Sequence, residues 1–172
     1  MPILTAILGF DRKEIIMAIR KILNKSDEIL HKKCKPVTEF DDKLAQLLDD
    51  MVETLRQAEG VGLAGPQVAK LRRVVVIIIE DQVYELVNPE ILEKSEEKQR
   101  VLEGCLSCPG EWGYVTRPMA VKFKAQNRHG EWYEMQVTDL FAQCVCHELD
   151  HLDGHIFTEI VEEFVILEDE QA

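Results

Sequence analysis

Cys146-His147-Glu148-Leu149-Asp150-His151, near the end of a 172-residue chain, is the stretch on which the fold turns. It reads as part of a helix for three reasons. Thr138 offers a cap, Leu140, Phe141, Cys144 and Val145 form an inward apolar stripe, and Gly154 supplies a stop. His147 and His151 are then about 40° apart around a 3.6-residue turn, so both imidazoles point the same way. Two neutral imidazoles on one face can hold one divalent ion. Glu148, beside the first of them, can reach a metal-bound water without being a ligand, which is the logic of the H-E-x-x-H pattern. Such an ion lowers the pKa of its water and polarises a carbonyl, while the carboxylate moves the proton to the leaving nitrogen. Five residues can match by chance, and surface helices often carry Glu and His. Here the helix is otherwise apolar on that side, which argues against exposed decoration.

Two histidines leave the ligand set incomplete. His155 lies four residues past His151, but Gly154 ends the helix first. Cys105 is the better candidate, because Glu103-Gly104-Cys105-Leu106-Ser107 is a glycine-containing turn that can aim a side chain inward. A rival grouping joins Cys105 and Cys108 (C-x-x-C) with Cys144 and Cys146 (C-x-C) as a closed zinc site. Helix geometry disfavours it. Residues two apart lie roughly 200° around the axis, so Cys144 and Cys146 face opposite sides.

Upstream, Leu44, Leu47, Leu48, Met51, Val52 and Leu55 mark a helix over 42–59 with one buried stripe, capped by Asp41 or Asp42 and stopped by Gly60. The glycine-rich GVGLAGPQV that follows reads as a loop. VVVIII within 73–80 reads as a buried strand, and 83–87 as a second one ended by Asn88-Pro89. Residues 93–102 are charged, and 103–118, with their glycines and prolines, read as irregular. Residues 120–125 alternate apolar with basic, 127–130 turn, and 131–137 pair back as a hairpin. The order implies an α+β fold: antiparallel sheets packed around a C-terminal metal-binding helix, with an N-terminal helix. Residues 1–16 read as an N-terminal extension, with Met17 a candidate initiator, and 17–172 as a single catalytic domain. Mass spectrometry of the native N-terminus tests the initiator; a peptide beginning at Pro2 would exclude it.

Apolar residues make up 46% and charged residues 30% of the chain, an ordinary globular composition. The net charge of −12 repels phosphate backbones, so nucleic acid is not an expected direct substrate. No apolar run approaches the roughly 20 residues that span a bilayer, and the N-terminus carries no readable signal peptide. Five cysteines without an export signal fit reduced thiols in the cytoplasm.

Three segments together resemble the peptide deformylase family. Gly60-Val61-Gly62-Leu63-Ala64-Gly65-Pro66-Gln67 matches G-x-G-L-A-A-x-Q at all but one position, Glu103-Gly104-Cys105-Leu106-Ser107 matches E-G-C-L-S, and His147-Glu148-Leu149-Asp150-His151 matches H-E-x-D-H. Their order and spacing fit as well, over about 17–161. The resemblance implies a ferrous ion held by Cys105, His147 and His151, with zinc, nickel or cobalt as substitutes, and a water in the fourth position. It implies removal of the formyl group from the N-terminal formylmethionine of nascent polypeptides. Glu148 would shuttle the proton, and the Gln67 amide and Leu106 backbone N–H would stabilise the oxyanion. Backbone around Gly62 would pair with the extended substrate, and Val61 would help line a pocket for the methionine. Without the resemblance, Gln67 would read as a solvated loop residue and the glycines as turn formers.

An Asp150–Arg117 ion pair is a further expectation. It would fix the metal helix against the sheet and orient the histidines. The bland alternative is two solvated charges. The chain departs from the family pattern at Gly65, where alanine is usual, at Cys146, where glutamine is common, and at Cys108, an added thiol that increases oxidation sensitivity. The acidic ending EEFVILEDEQA differs from the longer basic C-terminal helix with which some members dock on the ribosome, so that contact is left open. Two other readings compete: a zinc peptidase on the same helix with a different third ligand, and a non-catalytic zinc-stabilised binding module. Cys105→Ala would leave the first metallated, and Glu148→Ala would leave the second unaffected.

Overall fold

The strand VVVIII organises the architecture because its alternate side chains serve two different cores. The computed structural model describes residues 17–167; the expected N-terminal extension 1–16 lies outside the described residues. The elements run α1 (Asp42–Gln57), β1 (Gly62–Ala64), β2 (Val74–Ile79), β3 (Gln82–Lys94), β4 (Lys98–Cys105), β5 (Cys108–Pro118), β6 (Ala120–Gln126), β7 (Trp132–Thr138), α2 (Asp139–Leu152) and β8 (Glu163–Val165). One antiparallel sheet has the order β1-β2-β3-β6-β7 and a second the order β4-β5-β8. On β2, Val74 and Val76 pack toward α1 with Leu44, Leu48 and Met51, while Val75 and Ile77 pack toward α2 with Val145 and Leu149. β2 is thus covered on both faces, which is why it reads as an unbroken apolar run. The expected α+β class is the observed one.

Asp41 caps α1, its carboxylate accepting from Leu44 N at 3.0 Å. The helix ends at Gln57, with Glu59 in the left-handed region (φ 54), so the stop falls before Gly60. Val52 is only half-buried, at the margin of the stripe.

Three expectations about the strands need correction. First, β3 does not end at Asn88-Pro89. It continues to Lys94 through a register shift between Val87 and Glu90, with Asn88 at φ 51. The Asn88 side chain accepts from Val37 N (2.7 Å) and donates to Val37 O (2.9 Å) and Gln126 Oε1 (2.8 Å). A bulge held this way tolerates the proline that would break a regular ladder. Second, 103–118 is no irregular segment. It belongs to the β4–β5 hairpin, paired from Lys98↔Pro118 to Gly104↔Trp112 and, after a register shift, at Cys105↔Cys108. Gly104 serves packing: a Cβ there would come within 2.7 Å of the Trp112 ring. Third, the GVGLAGPQV loop contains β1, an edge strand pairing Gly62↔Ile77 through Ala64↔Val75, followed by a 3-10 turn over Gly65–Val68.

α2 lies between the two sheets. Thr138 occupies the cap position, but its hydroxyl donates to Asp139 Oδ2 (2.5 Å) and makes no capping bond to the helix. Leu140, expected to point inward, is 50% exposed. Gly154, at φ +84, follows the helix end as its sequence suggested.

Candidate metal centre

The middle of α2 is buried on all sides, which is unusual for a segment carrying two histidines and a carboxylate. His147, Glu148 and His151 are 8%, 3% and 1% exposed. Their helical spacing brings the imidazoles together, with ring centroids 5.0 Å apart. Cys105 arrives from the end of β4, its Sγ 3.3 Å from His151 Nε2. One donor atom from each of Cys105, His147 and His151 lies within 4.8 Å of the others. Among the described residues this is the grouping able to hold an ion. The rivals are not assembled: His155 is exposed and bonded to Glu159 at 3.0 Å, and the trio includes none of Cys108, Cys144 and Cys146.

A thiolate with two imidazoles suits zinc, iron, cobalt or nickel. His147 Nδ1 donates to Glu103 Oε1 (2.5 Å), which leaves Nε2 for an ion. Among the described residues two buried side-chain polar atoms have no hydrogen-bond partner, Glu148 Oε2 and His151 Nδ1. An orphaned carboxylate oxygen beside three ligand atoms is the arrangement expected of a site built for a cation and its water. The residues fit the group.

Glu103 is the residue that sequence reasoning passed over. It accepts two bonds from Arg117, Nη2–Oε1 at 2.6 Å and Nε–Oε2 at 3.2 Å, besides the one from His147. Arg117 Nη1 reaches Asp150 Oδ2 at 2.7 Å, the pair anticipated from the sequence. The result is a chain from Asp150 through Arg117 and Glu103 to His147. Burial pushes the Glu103 carboxyl up, but the His147 and Arg117 bonds outweigh it and hold the pKa at about 2. A signal was available: Glu103 stands two residues before Cys105, in the same short segment as a candidate ligand, and is near enough to support the site. Gln143, four residues before His147, adds a bond from Nε2 to Leu102 O at 3.2 Å.

Glu148 is in the opposite condition. Burial raises its pKa to about 7, against a smaller lowering by His147. It has room only because position 62 is glycine; a Cβ there would collide with Glu148 Oε1. Gln67, 1% exposed, is locked by its own bonds: Oε1 accepts from Ala64 N (2.9 Å), and Nε2 donates to Ser107 Oγ (3.1 Å) and approaches Cys105 Sγ (3.6 Å). Leu106 begins the two-residue turn between β4 and β5, and Val61, 36% exposed, stands at the rim. Together these residues line a cleft of about 510 Å³ shared with Leu102, Trp112 and Leu140. It runs beside the open edge of β1.

The sequence profile of the family described as polypeptide deformylase matches residues 19–165. The chain is 52% identical over 149 residues to a peptide deformylase of Caldicellulosiruptor bescii, covering 87% of this chain and 89% of the relative. It is 51% identical over 149 residues to one of Acetivibrio thermocellus, covering 87% of each. Among solved structures, a peptide deformylase from Thermotoga maritima superposes with a TM-score of 0.82 at 36% identity, over 84% of this chain and 98% of that one. One from Synechococcus elongatus, in complex with actinonin, gives 0.82 at 32% identity over 92% and 87%. Helix, hairpin turn and edge strand carry the three matching motifs to one cleft, and the chain belongs to the polypeptide deformylase family, metal-dependent hydrolases that remove the formyl group from N-formylmethionine peptides.

Proposed function

We propose that Cys105, His147 and His151 hold one divalent ion per chain, ferrous in the native protein, and that Glu148 is the general base of deformylation. One observation carries this reading: three ligand atoms converge within 4.8 Å beside a buried Glu148 oxygen that has no protein partner. When bound, such an ion supplies Lewis-acid polarisation of the formyl carbonyl and acidifies water. The Cys–His–His set also accepts zinc, nickel or cobalt. Glu148 takes the proton of the attacking water and returns it to the departing amine, so that formyl amide and water give formate and a free N-terminus. Gln67 Nε2 and the Leu106 backbone N–H donate to the oxygen that becomes anionic as the formyl carbon turns tetrahedral. Glu103 fixes the His147 tautomer, and Arg117 and Asp150 hold Glu103 in turn.

The β1 edge accepts the substrate backbone as an added strand at Gly62, with Val61 against the methionine side chain. Residues 17–172 form the single catalytic domain. The protein works in the cytoplasm on nascent chains: its five cysteines are free, and no described helix is long and apolar enough to cross a membrane. With a net charge of −12 it makes no direct use of nucleic acid, and any ribosome contact would have to avoid phosphate. The test is formate release from formyl-Met peptides, assayed anaerobically with metal analysis of the same sample. The reading predicts formate and free amine in equal amounts; a fully metallated sample that yields none would overturn it.

A further inference from the structure

Cys105 and Cys108 are Cα partners across the two-residue turn Leu106–Ser107. Facing residues of an antiparallel ladder lie about 4.5–5.5 Å apart at Cα and put their side chains on one side. That separation falls inside the roughly 4.4–6.8 Å that disulfides span. The two thiols differ in access to solvent. Both line the cleft, but Cys105 is half-buried, whereas Cys108 is 1% exposed and packs with Leu30, Val115 and Phe157. Of the five cysteines, Cys34 lies outside the helices and strands and Cys144 and Cys146 lie on α2, so none of these three faces a cysteine in a ladder.

We propose that Cys108 is a resolving thiol for Cys105, closing a Cys105–Cys108 disulfide after a peroxide entering the cleft has oxidised Cys105. The Cys105 sulfur attacks one peroxide oxygen and the O–O bond breaks. One oxygen stays as the sulfenic acid, and the other leaves as water. The Cys108 sulfur then attacks Cys105 Sγ, the S–O bond breaks, and hydroxide departs with the Cys108 proton as a second water. One peroxide and two thiols give one disulfide and two waters. The disulfide stops Cys105 short of the sulfinic and sulfonic acids, from which thiols cannot return it. Resting on Cys105 as a ligand, the inference adds a consequence: the cross-link withdraws the thiolate and leaves two imidazoles, so the ion is released.

The experiment treats the anaerobically prepared, metal-loaded chain with a several-fold molar excess of hydrogen peroxide, because each oxygen added to sulfur consumes one peroxide. Free thiols are then alkylated, peptides are mapped without reduction, and metal is measured in the filtrate. Activity is followed before and after dithiothreitol and fresh metal. The wild type should give a 103–118 region lighter by two hydrogens and unalkylated at both cysteines, with metal released in proportion. Its activity should return on reduction. Cys108→Ser, and Cys108→Ala as a second variant, should instead accumulate Cys105 sulfinic or sulfonic acid and recover little of their own untreated activity. Wild-type protein carrying oxidised Cys105 beside alkylated Cys108 would overturn the inference, as would a Cys108 variant that recovers as fully as the wild type. A disulfide formed with metal retained supports the cysteine pair and overturns Cys105 as a ligand.

Discussion

On one side of His147 a buried carboxylate is held at a pKa of about 2; on the other, its neighbour is raised to about 7. Glu103 and Glu148 are each 3% exposed, so burial does not separate them. Partners do. Glu103 accepts from His147 and twice from Arg117, while Glu148 Oε2 accepts from nothing. The same desolvation therefore produces a fixed structural anion on one flank and a group poised for proton transfer on the other. On the proposed reading the paired charge positions the His147 ligand, and the unpaired one is available for chemistry.

Substitutions test that contrast from either flank. Glu148→Ala should keep its metal and lose about 10²–10⁴-fold in turnover, the usual share of a general base. Metal content and formate release from one preparation check it. Equal activity would place the proton transfer elsewhere. Arg117→Ala strips Glu103 of its counter-ion, and breaking a buried pair in this way costs about 3–5 kcal/mol of stability. Loss of the support behind His147 should also weaken metal binding by about 10–100-fold. Thermal unfolding and metal titration read both effects; unchanged metal affinity would show that the Asp150–Arg117–Glu103 chain has no bearing on the site. Gln67→Ala should lower kcat by about 10²–10³-fold with metal retained, the cost of one oxyanion donor.

The smallest effect is a pair of opposite pH dependences in protein stripped of metal. Glu103 falls from an ordinary 4.5 to about 2 on folding, so its ionised form stabilises the fold above pH 4.5 and that contribution is lost on acidification toward pH 2. Glu148 rises from 4.5 to about 7, so its ionisation opposes folding above pH 7 and the penalty vanishes below 4.5. Glu148→Gln should therefore raise the Tm of the stripped protein at pH 8 and leave it unchanged at pH 4, while Glu103→Gln should lower it at pH 8 and converge with wild type near pH 2. Parallel curves for the two variants would dissolve the distinction between the flanks.

What the sequence made legible was periodic. The α1 stripe, the apolar run of β2, the β6–β7 hairpin and the histidine spacing on α2 each follow from one element's own geometry. What it hid was set by distant neighbours. Asn88-Pro89 reads as a strand end until Val37 and Gln126 are there to satisfy the asparagine. Gly104 reads as a loop residue until Trp112 packs over it, and Gly62 as a turn former until Glu148 fills the space its missing Cβ leaves. Glu103 stood inside a quoted motif without a role because its partners lie 14 and 44 residues away. Thr138 shows the converse: the right residue stands at the cap position, yet its hydroxyl turns to Asp139.

The most direct measurement is anomalous diffraction at the iron absorption edge from crystals of anaerobically purified protein. The account predicts one anomalous peak per chain, bonded to Cys105 Sγ and to His147 and His151, with Glu148 close by but not coordinating. A peak elsewhere, or one coordinated by Glu148 in place of Cys105, would contradict it.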